Sequence, residues 1–509
     1  MVFSMSDGSK DHGLSRRGFL KRAGIGAAAI AGGGLSALPT LAGAQQSRRG
    51  ATSFRLNIGC ERVYWPIFAG EETLVQRMNV QLVEGAASHL QPIPGSHIAP
   101  TIRAAKGDML YARMQNDLYD PCIIHWHGME VSERNDGLPG QAVLPGEYYD
   151  YSYQIRNRAG TYWYHPHPDG YTGFQVYYGM AGALIVSDPE EQALALPRGE
   201  FDQVVMIQDR KFDTHNQLIY GVNPFIGTLG NQALVNGKPN AMLSAATRIY
   251  RLRILNGSNA RIYRLKWSNG LPMVAIGTDG GLLPQPVTKP FIMLAPGERV
   301  EIWADFSDLP VGEEFKLISE AFSGAQVGFG SGQVNGTAMD IMNVRIDRQE
   351  VETLTLPKTL AQHTRFRLED AINGNTPRTI PITFDGMFLL NNRLYELNEV
   401  AKNEIVQRNT LECWEFTNDT GGTATAHPIH LHGPAFQVYY RSCVKARQPA
   451  WENVRAGYVD EGWKDTVMLM PGESAKILIQ FGTTPHLSLY HCHNLDHEDM
   501  GMMRHYRVV

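Results

Sequence analysis

The chain has 509 residues, enough for roughly three domains of ~150 residues each. Lys and Arg number 46 against 51 Asp and Glu, a formal net charge of −5 that leaves no overall cationic surplus for nucleic acid or an anionic membrane surface. With no such surplus, small-molecule chemistry is the expectation, and the five cysteines (Cys60, Cys122, Cys413, Cys443 and Cys492) are too few and too scattered for a disulfide framework.

The N-terminal stretch SRRGFLKRAGIGAAAIAGGGLSALPTLAGA combines a charged start, an apolar run from Gly24 to Leu41 and a small-residue end at Ala42, Gly43 and Ala44. That is the layout of an export signal. Ser15, Arg16, Arg17, Phe19, Leu20 and Lys21 resemble the twin-arginine motif, so residues 1–44 are expected to address the chain to the twin-arginine export machinery. The run is Gly/Ala-rich and short for a membrane span, and no later segment is apolar enough to cross a bilayer. The expectation is a periplasmic or secreted protein without a stable membrane anchor.

Three stretches repeat in order. LPGEYYDYSYQI (Leu144 to Ile155), APGERVEIWADF (Ala295 to Phe306) and MPGESAKILIQF (Met470 to Phe481) each place a Pro-Gly turn before alternating polar and apolar residues, the pattern of a half-buried strand. Before each lies another strand-like run closing on Asn116, Asn256 or Asn418. Helical periodicity is scarce, and 51 Gly and 28 Pro punctuate short strands, which favours β-sandwiches over α/β units. The expected domains are 45–190, 200–348 and 355–509, all β, with boundaries near SDPEEQALALPRGE and RIDRQEVETLTLPKTL.

His-x-His recurs at His125/His127, His165/His167, His430/His432 and His491/His493, holding eight of the 17 histidines. On a strand, positions i and i+2 share a face, so each pair can aim two imidazoles at one place. Cys492, between His491 and His493, then faces the other way and can serve a second centre. Zinc sites close with four ligands, or with three and a water, fewer than this chain offers. One thiolate, two imidazoles and a distant thioether form the blue-copper set. Cys492, His497 and Met502 supply three of these. His427 is the natural second imidazole, at an odd spacing from His430, although Pro428 disturbs that parity.

Together HWHG, HPH, HPIHLHG and HCHNLDHEDMGM resemble the four copper motifs of the laccase-like multicopper oxidases, over essentially the whole exported chain. The resemblance implies three cupredoxin-like Greek-key β-sandwich domains and four copper ions. It assigns His427, Cys492, His497 and axial Met502 to the type 1 copper, and His125 and His430 to type 2. It assigns His127, His165, His167, His432, His491 and His493 to the type 3 pair. Every assigned ligand lies in the first or third domain, which leaves the middle domain as a spacer.

By the same resemblance, a small aromatic reductant gives up electrons through the ring edge of His497, and dioxygen is reduced to water at the cluster. Glu498, next to His497, and Asp136, nine residues after His127, stand where a proton relay is expected. A weak methionine axial ligand points to a modest potential and easily oxidised phenols or aromatic amines. The alternative is a periplasmic cuprous oxidase, with cuprous ion as reductant. Such relatives tend to carry a methionine-rich insertion, whereas Val351 to Val400 holds only Met387, and Thr423 and Thr425 stand at expected copper contacts. A non-catalytic, partner-binding relative that has lost its ligands is disfavoured by the complete set.

Overall fold

The computed structural model describes residues 52–326, 334–419, 421 and 424–509. The expected export signal, residues 1–44, and Thr423 lie outside the described residues. Within them six sheets form, and each of the three principal apolar clusters lies between two of these sheets. The strands of the three sandwiches run over 53–187, 202–348 and 378–508. The longest described helix, Gln448–Arg455, has 8 residues, and no described helix is long and apolar enough to cross a membrane.

The three repeats are one structural unit used three times. Met109–Asn116 pairs antiparallel with Tyr148–Gln154, Ile249–Asn256 with Arg299–Asp305, and Leu411–Asn418 with Glu473–Gln480. Each first strand also pairs in parallel with the strand that opens its sandwich: Ser53–Trp65, Asp202–Arg210 or Arg378–Asp385. The terminal asparagines explain their own recurrence. Asn116 Nδ2 donates to the carbonyls of Asp120 and Val143, Asn256 Nδ2 to those of Arg261 and Leu294, and Asn418 Nδ2 to those of Thr425 and Leu469. All three are buried. Each amide satisfies backbone acceptors that the chain leaves open where it turns between the sheets. One acceptor in each case is the residue just before the repeated turn.

Alternation sends one face of every strand inward. Each core contains one fully buried tryptophan, Trp126, Trp267 or Trp414, ringed by aliphatic and aromatic side chains. Truncating any of them to alanine is expected to cost about 3–5 kcal/mol.

The His-bearing strands are neighbours within their sheets. In the first sandwich Ile124–His127 pairs antiparallel with Gly160–Pro166, setting His125 opposite His165. In the third, His427–Leu431 pairs with His486–Cys492, setting His430 opposite His491 and Ile429 opposite Cys492. Sheet register thus brings side chains distant in sequence together before any ion is considered.

Candidate metal centres

Cys492 ends the strand His486–Cys492, and its side chain enters the core of the third sandwich together with Met502. Its Sγ lies 3.5 Å from His427 Nδ1 and 3.9 Å from His497 Nδ1, and all three residues are buried. His427 reaches this side despite Pro428, because both belong to the continuous strand His427–Leu431. The return loop is held by backbone bonds, Cys492 N–H to Met502 O and Met502 N–H to His497 O, each 3.0 Å.

On the opposite face the four His-x-His pairs converge. The Nε2 atoms of His167 and His432 lie 3.3 and 3.2 Å from Nε2 of His491. His165 Nε2 lies 3.4 Å from His127 Nδ1, and the His493 ring is 5.3 Å from that of His165 and 4.9 Å from that of His127. His125 stacks on His432 at 3.8 Å and His430 on His127 at 3.7 Å. Eight buried imidazoles therefore divide into two groups of three, His167/His432/His491 and His127/His165/His493, with His125 and His430 between them.

The outer nitrogens settle which atoms face inward. His125 Nδ1 donates to Asp136 O and His430 Nδ1 to Asp465 O, leaving both Nε2 atoms buried without a partner. His165 Nδ1 lies 2.9 Å from Pro166 O, so its Nε2 is the free atom. His127 is reversed: Nε2 is 3.1 Å from Asp465 Oδ1, and Nδ1 turns inward. Both ring nitrogens of His493 are buried without a hydrogen bond. Buried polar atoms are normally satisfied, so these orphans converging on one place fit metal ions. Burial lowers the pKa of His127, His165, His432, His491 and His493 well below the ordinary value, and that of His167 to about 3. Neutral imidazole is the form that ligates. Burial raises the Cys492 thiol, so a metal must displace its proton.

Three buried carboxylates each lie beside two of these rings. Asp136 Oδ2 is 3.1 Å from His432 Nδ1, and its Oδ1 is 3.2 Å from His125 Nδ1. Glu498 lies 3.0 Å from His491 Nδ1 and 3.5 Å from His167 Nδ1. Asp465 takes His127 and, at 3.5 Å, His430. Burial would raise the pKa of Asp136, but the adjacent His432 and His125 pull it below the usual carboxylate range. Burial raises that of Glu498. Such outer partners fix ring orientation and tautomer.

Among the described residues, the middle sandwich supplies none of the clustered ring and thiol groups and reaches them through outer partners. Arg299, on the strand Arg299–Asp305, donates from Nη1 and Nη2 to the two Asp465 oxygens at 2.7 and 2.5 Å. Its Nε reaches Thr161 O in the first sandwich. Asp279 accepts from Arg299 N–H and lies 3.1 Å from Lys464 Nζ. Gly297, in the second Pro-Gly turn, has φ +84°, and a Cβ there would stand 2.9 Å from the His493 ring. Glycine is needed for the turn and for the ring.

The middle sandwich also covers His497. Phe225 O lies 3.1 Å from His497 Nε2, and His497 is 1% exposed. Beyond it a pocket of about 120 Å³ is lined by Phe225, Phe384, Met387, Phe388, His497 and Met500. Thr425 Oγ1 is 3.2 Å from His427 Nε2. Three further histidines stand apart: His89 stacks on Phe54, His363 bonds Leu282 O, and exposed His215 pairs with Glu71.

All fourteen expected site residues therefore lie in these two centres or directly against them. Asp465, Arg299 and Phe225 went unnoticed in the sequence. An Asp immediately before the fully buried strand Thr466–Leu469 is the one hint the sequence offers.

Comparison with known proteins agrees with this geometry. Family models described as multicopper oxidase match residues 74–191 and 361–509. The chain is 32% identical over 423 residues to multicopper oxidase mco of Staphylococcus epidermidis, covering 82% of this chain and 83% of that one. It is 33% identical to a laccase of Bacillus subtilis, over 75% and 78% of the two chains. The crystal structure of McoA multicopper oxidase from Aquifex aeolicus superposes with a TM-score of 0.77 at 32% identity, covering 91% of this chain and 99% of that one. Four copper ions, one of type 1, one of type 2 and two of type 3, are the cofactors of this family, and dioxygen and a reductant its substrates. With three cupredoxin-like sandwiches and two histidine-built centres joined at Cys492, the chain belongs to the multicopper oxidases, copper-dependent oxidoreductases.

Proposed function

We propose that this oxidase is of laccase type, taking single electrons from phenolic or aromatic amine donors and reducing dioxygen to water. The observation that carries it is the His491–Cys492–His493 triplet, whose cysteine faces one centre while its flanking histidines face the other. His427, Cys492, His497 and Met502 would hold the type 1 ion, and His125 and His430 the type 2 ion. His127, His165 and His493 would hold one type 3 ion, and His167, His432 and His491 the other. When bound, copper supplies one-electron redox chemistry and the four-electron reduction of dioxygen. The chain supplies the rest. Cys492 links the two centres through two peptide bonds. Asp136, Asp465 and Glu498 orient the rings, and the fully buried cluster excludes bulk water. Glu498, its carboxyl raised by burial, is suited to hold a proton beside His167 and His491, and Asp136 to pass one beside His125 and His432.

Met387 and Met500 in the pocket favour a second reading, cuprous oxidation, because thioethers suit cuprous ion. Among solved relatives, a Campylobacter jejuni protein 26% identical to this chain is titled a metallo-oxidase. The layout of residues 1–44, with its paired Arg16 and Arg17, supports export by the twin-arginine route to the periplasm or beyond, without a membrane anchor. Oxygen uptake by copper-loaded protein, measured with an aromatic amine, a methoxyphenol and cuprous ion, tests the assignment. Uptake with the aromatic donors supports the laccase reading, and uptake with cuprous ion alone replaces it with the second.

A further inference from the structure

The segment Tyr220–Thr228 leaves the middle sandwich between the strands Asp202–Arg210 and Gln232–Val235 and crosses directly over His497. It is fastened at both ends to Asp496, whose Oδ1 accepts from Tyr220 OH at 2.6 Å and whose Oδ2 accepts from Thr228 N–H at 2.6 Å. Within the segment the Asn223 side chain accepts from the N–H groups of Phe225 and Ile226, and Asn494 Nδ2 donates to Ile226 O. Gly227 has φ +81°, and a Cβ there would stand 2.6 Å from Ala260 Cβ and from Asn494 Oδ1, so the turn fits closely. Its product is a hydrogen bond from His497 Nε2–H to the Phe225 carbonyl at 3.1 Å, with Asn494 Nδ2 at 3.3 Å from the same Nε2.

His497 Nδ1 faces Cys492, so Nε2 is the atom a donor molecule would otherwise meet. With its hydrogen committed to Phe225 O, it can neither donate to a phenolic oxygen nor accept a phenolic proton. Among the described residues, no carboxylate lines the adjoining pocket. Its walls are the rings of Phe225, Phe384 and Phe388 and the thioethers of Met387 and Met500, and exposed Asp385 lies outside that lining. One-electron oxidation of a neutral phenol is coupled to loss of its hydroxyl proton, which a positioned acceptor at the site accelerates. A fully N-alkylated aromatic diamine or a cuprous ion requires none.

Resting on the oxidase reading, we propose that the Tyr220–Thr228 segment, through the Phe225 carbonyl, makes this site favour, among the donors it oxidises, those that surrender no proton. Each donor loses one electron and keeps its protons. Four donors supply the four electrons with which dioxygen and four protons from water become two water molecules. Aromatic faces and thioethers hold such donors by stacking and soft contact, against the His497 ring that also lines the pocket.

Copper-loaded wild type and Tyr220→Phe/Asn223→Ala are compared, the latter loosening the segment without touching an assigned ligand. In wild type, kcat/KM for tetramethyl-p-phenylenediamine is expected to exceed that for 2,6-dimethoxyphenol by about 10²-fold, the worth of a missing proton acceptor. The variant should narrow this ratio at least about tenfold with its blue absorption unchanged. Independently of turnover, electron–nuclear double resonance in D2O reads the exchangeable imidazole protons at the blue centre. In wild type the His497 Nε2 proton is expected to resist exchange, and in the variant to exchange within mixing. Equal rates for phenol and diamine in wild type, or immediate exchange there, overturn the proposal. Absence of blue absorption and of oxygen uptake with every donor would instead overturn the oxidase reading beneath it.

Discussion

The Arg299 guanidinium grips both carboxylate oxygens of Asp465, and through Asp465 a strand of the middle sandwich fixes two rings of a cluster built by the other two. Bidentate charge-assisted pairs combine strength with fixed geometry, and here the geometry turns His127 Nδ1 inward. Arg299→Lys should keep the fold's charge balance but lose the fork. Copper affinity at the cluster is expected to fall about 10- to 100-fold, read by copper titration with atomic absorption, while blue absorption stays normal. Unchanged affinity for all ions would make Arg299 a purely structural residue.

Cys492→Ser removes the only thiol within reach of both His427 and His497 among the described residues. The copper-loaded variant should be colourless and unable to draw electrons from a donor, while copper at the histidine cluster is retained. An undiminished blue band in this variant would sink the assignment of the type 1 centre.

His430→Ala and His167→Ala change rings on the far side of the strand from Cys492. Both variants should keep the blue colour, and the blue centre should stay reduced after donor is added in air. Reoxidation at the wild-type rate would show that these rings take no part in oxygen reduction.

Glu498→Gln and Asp136→Asn preserve shape and remove a proton carrier. Each should slow turnover by about 10²-fold, with the loss confined to the reoxidation half-reaction. Anaerobic reduction of the blue centre by donor, timed by stopped flow, should remain near wild type. Equal slowing of that step assigns these carboxylates to copper geometry.

Much of this architecture is legible in sequence because its signals are local. A strand's two-residue period makes His-x-His a statement about one face and His-Cys-His a statement about two. Asn116, Asn256 and Asn418 mark the same corner of three sandwiches because one hydrogen-bonding task recurs there. What is not legible depends on contacts between sandwiches. Arg299 reads as one charge in an alternating strand, and only the fold sets it against Asp465. Phe225 acts through its backbone carbonyl, a group every residue carries, so no side-chain pattern can announce it. The part played by the middle domain is illegible for the same reason: it contributes outer partners instead of ligands.

The central claim is that this chain holds one copper at Cys492 and three among eight histidines. Anomalous diffraction from copper-loaded crystals, recorded on both sides of the copper absorption edge, tests it most directly. One peak is expected to be bounded by His427, Cys492 and His497, and three to lie within the histidine cluster: one at His127/His165/His493, one at His167/His432/His491 and one between His125 and His430. Fully loaded crystals lacking the Cys492 peak, or showing a single peak in the cluster, would contradict it.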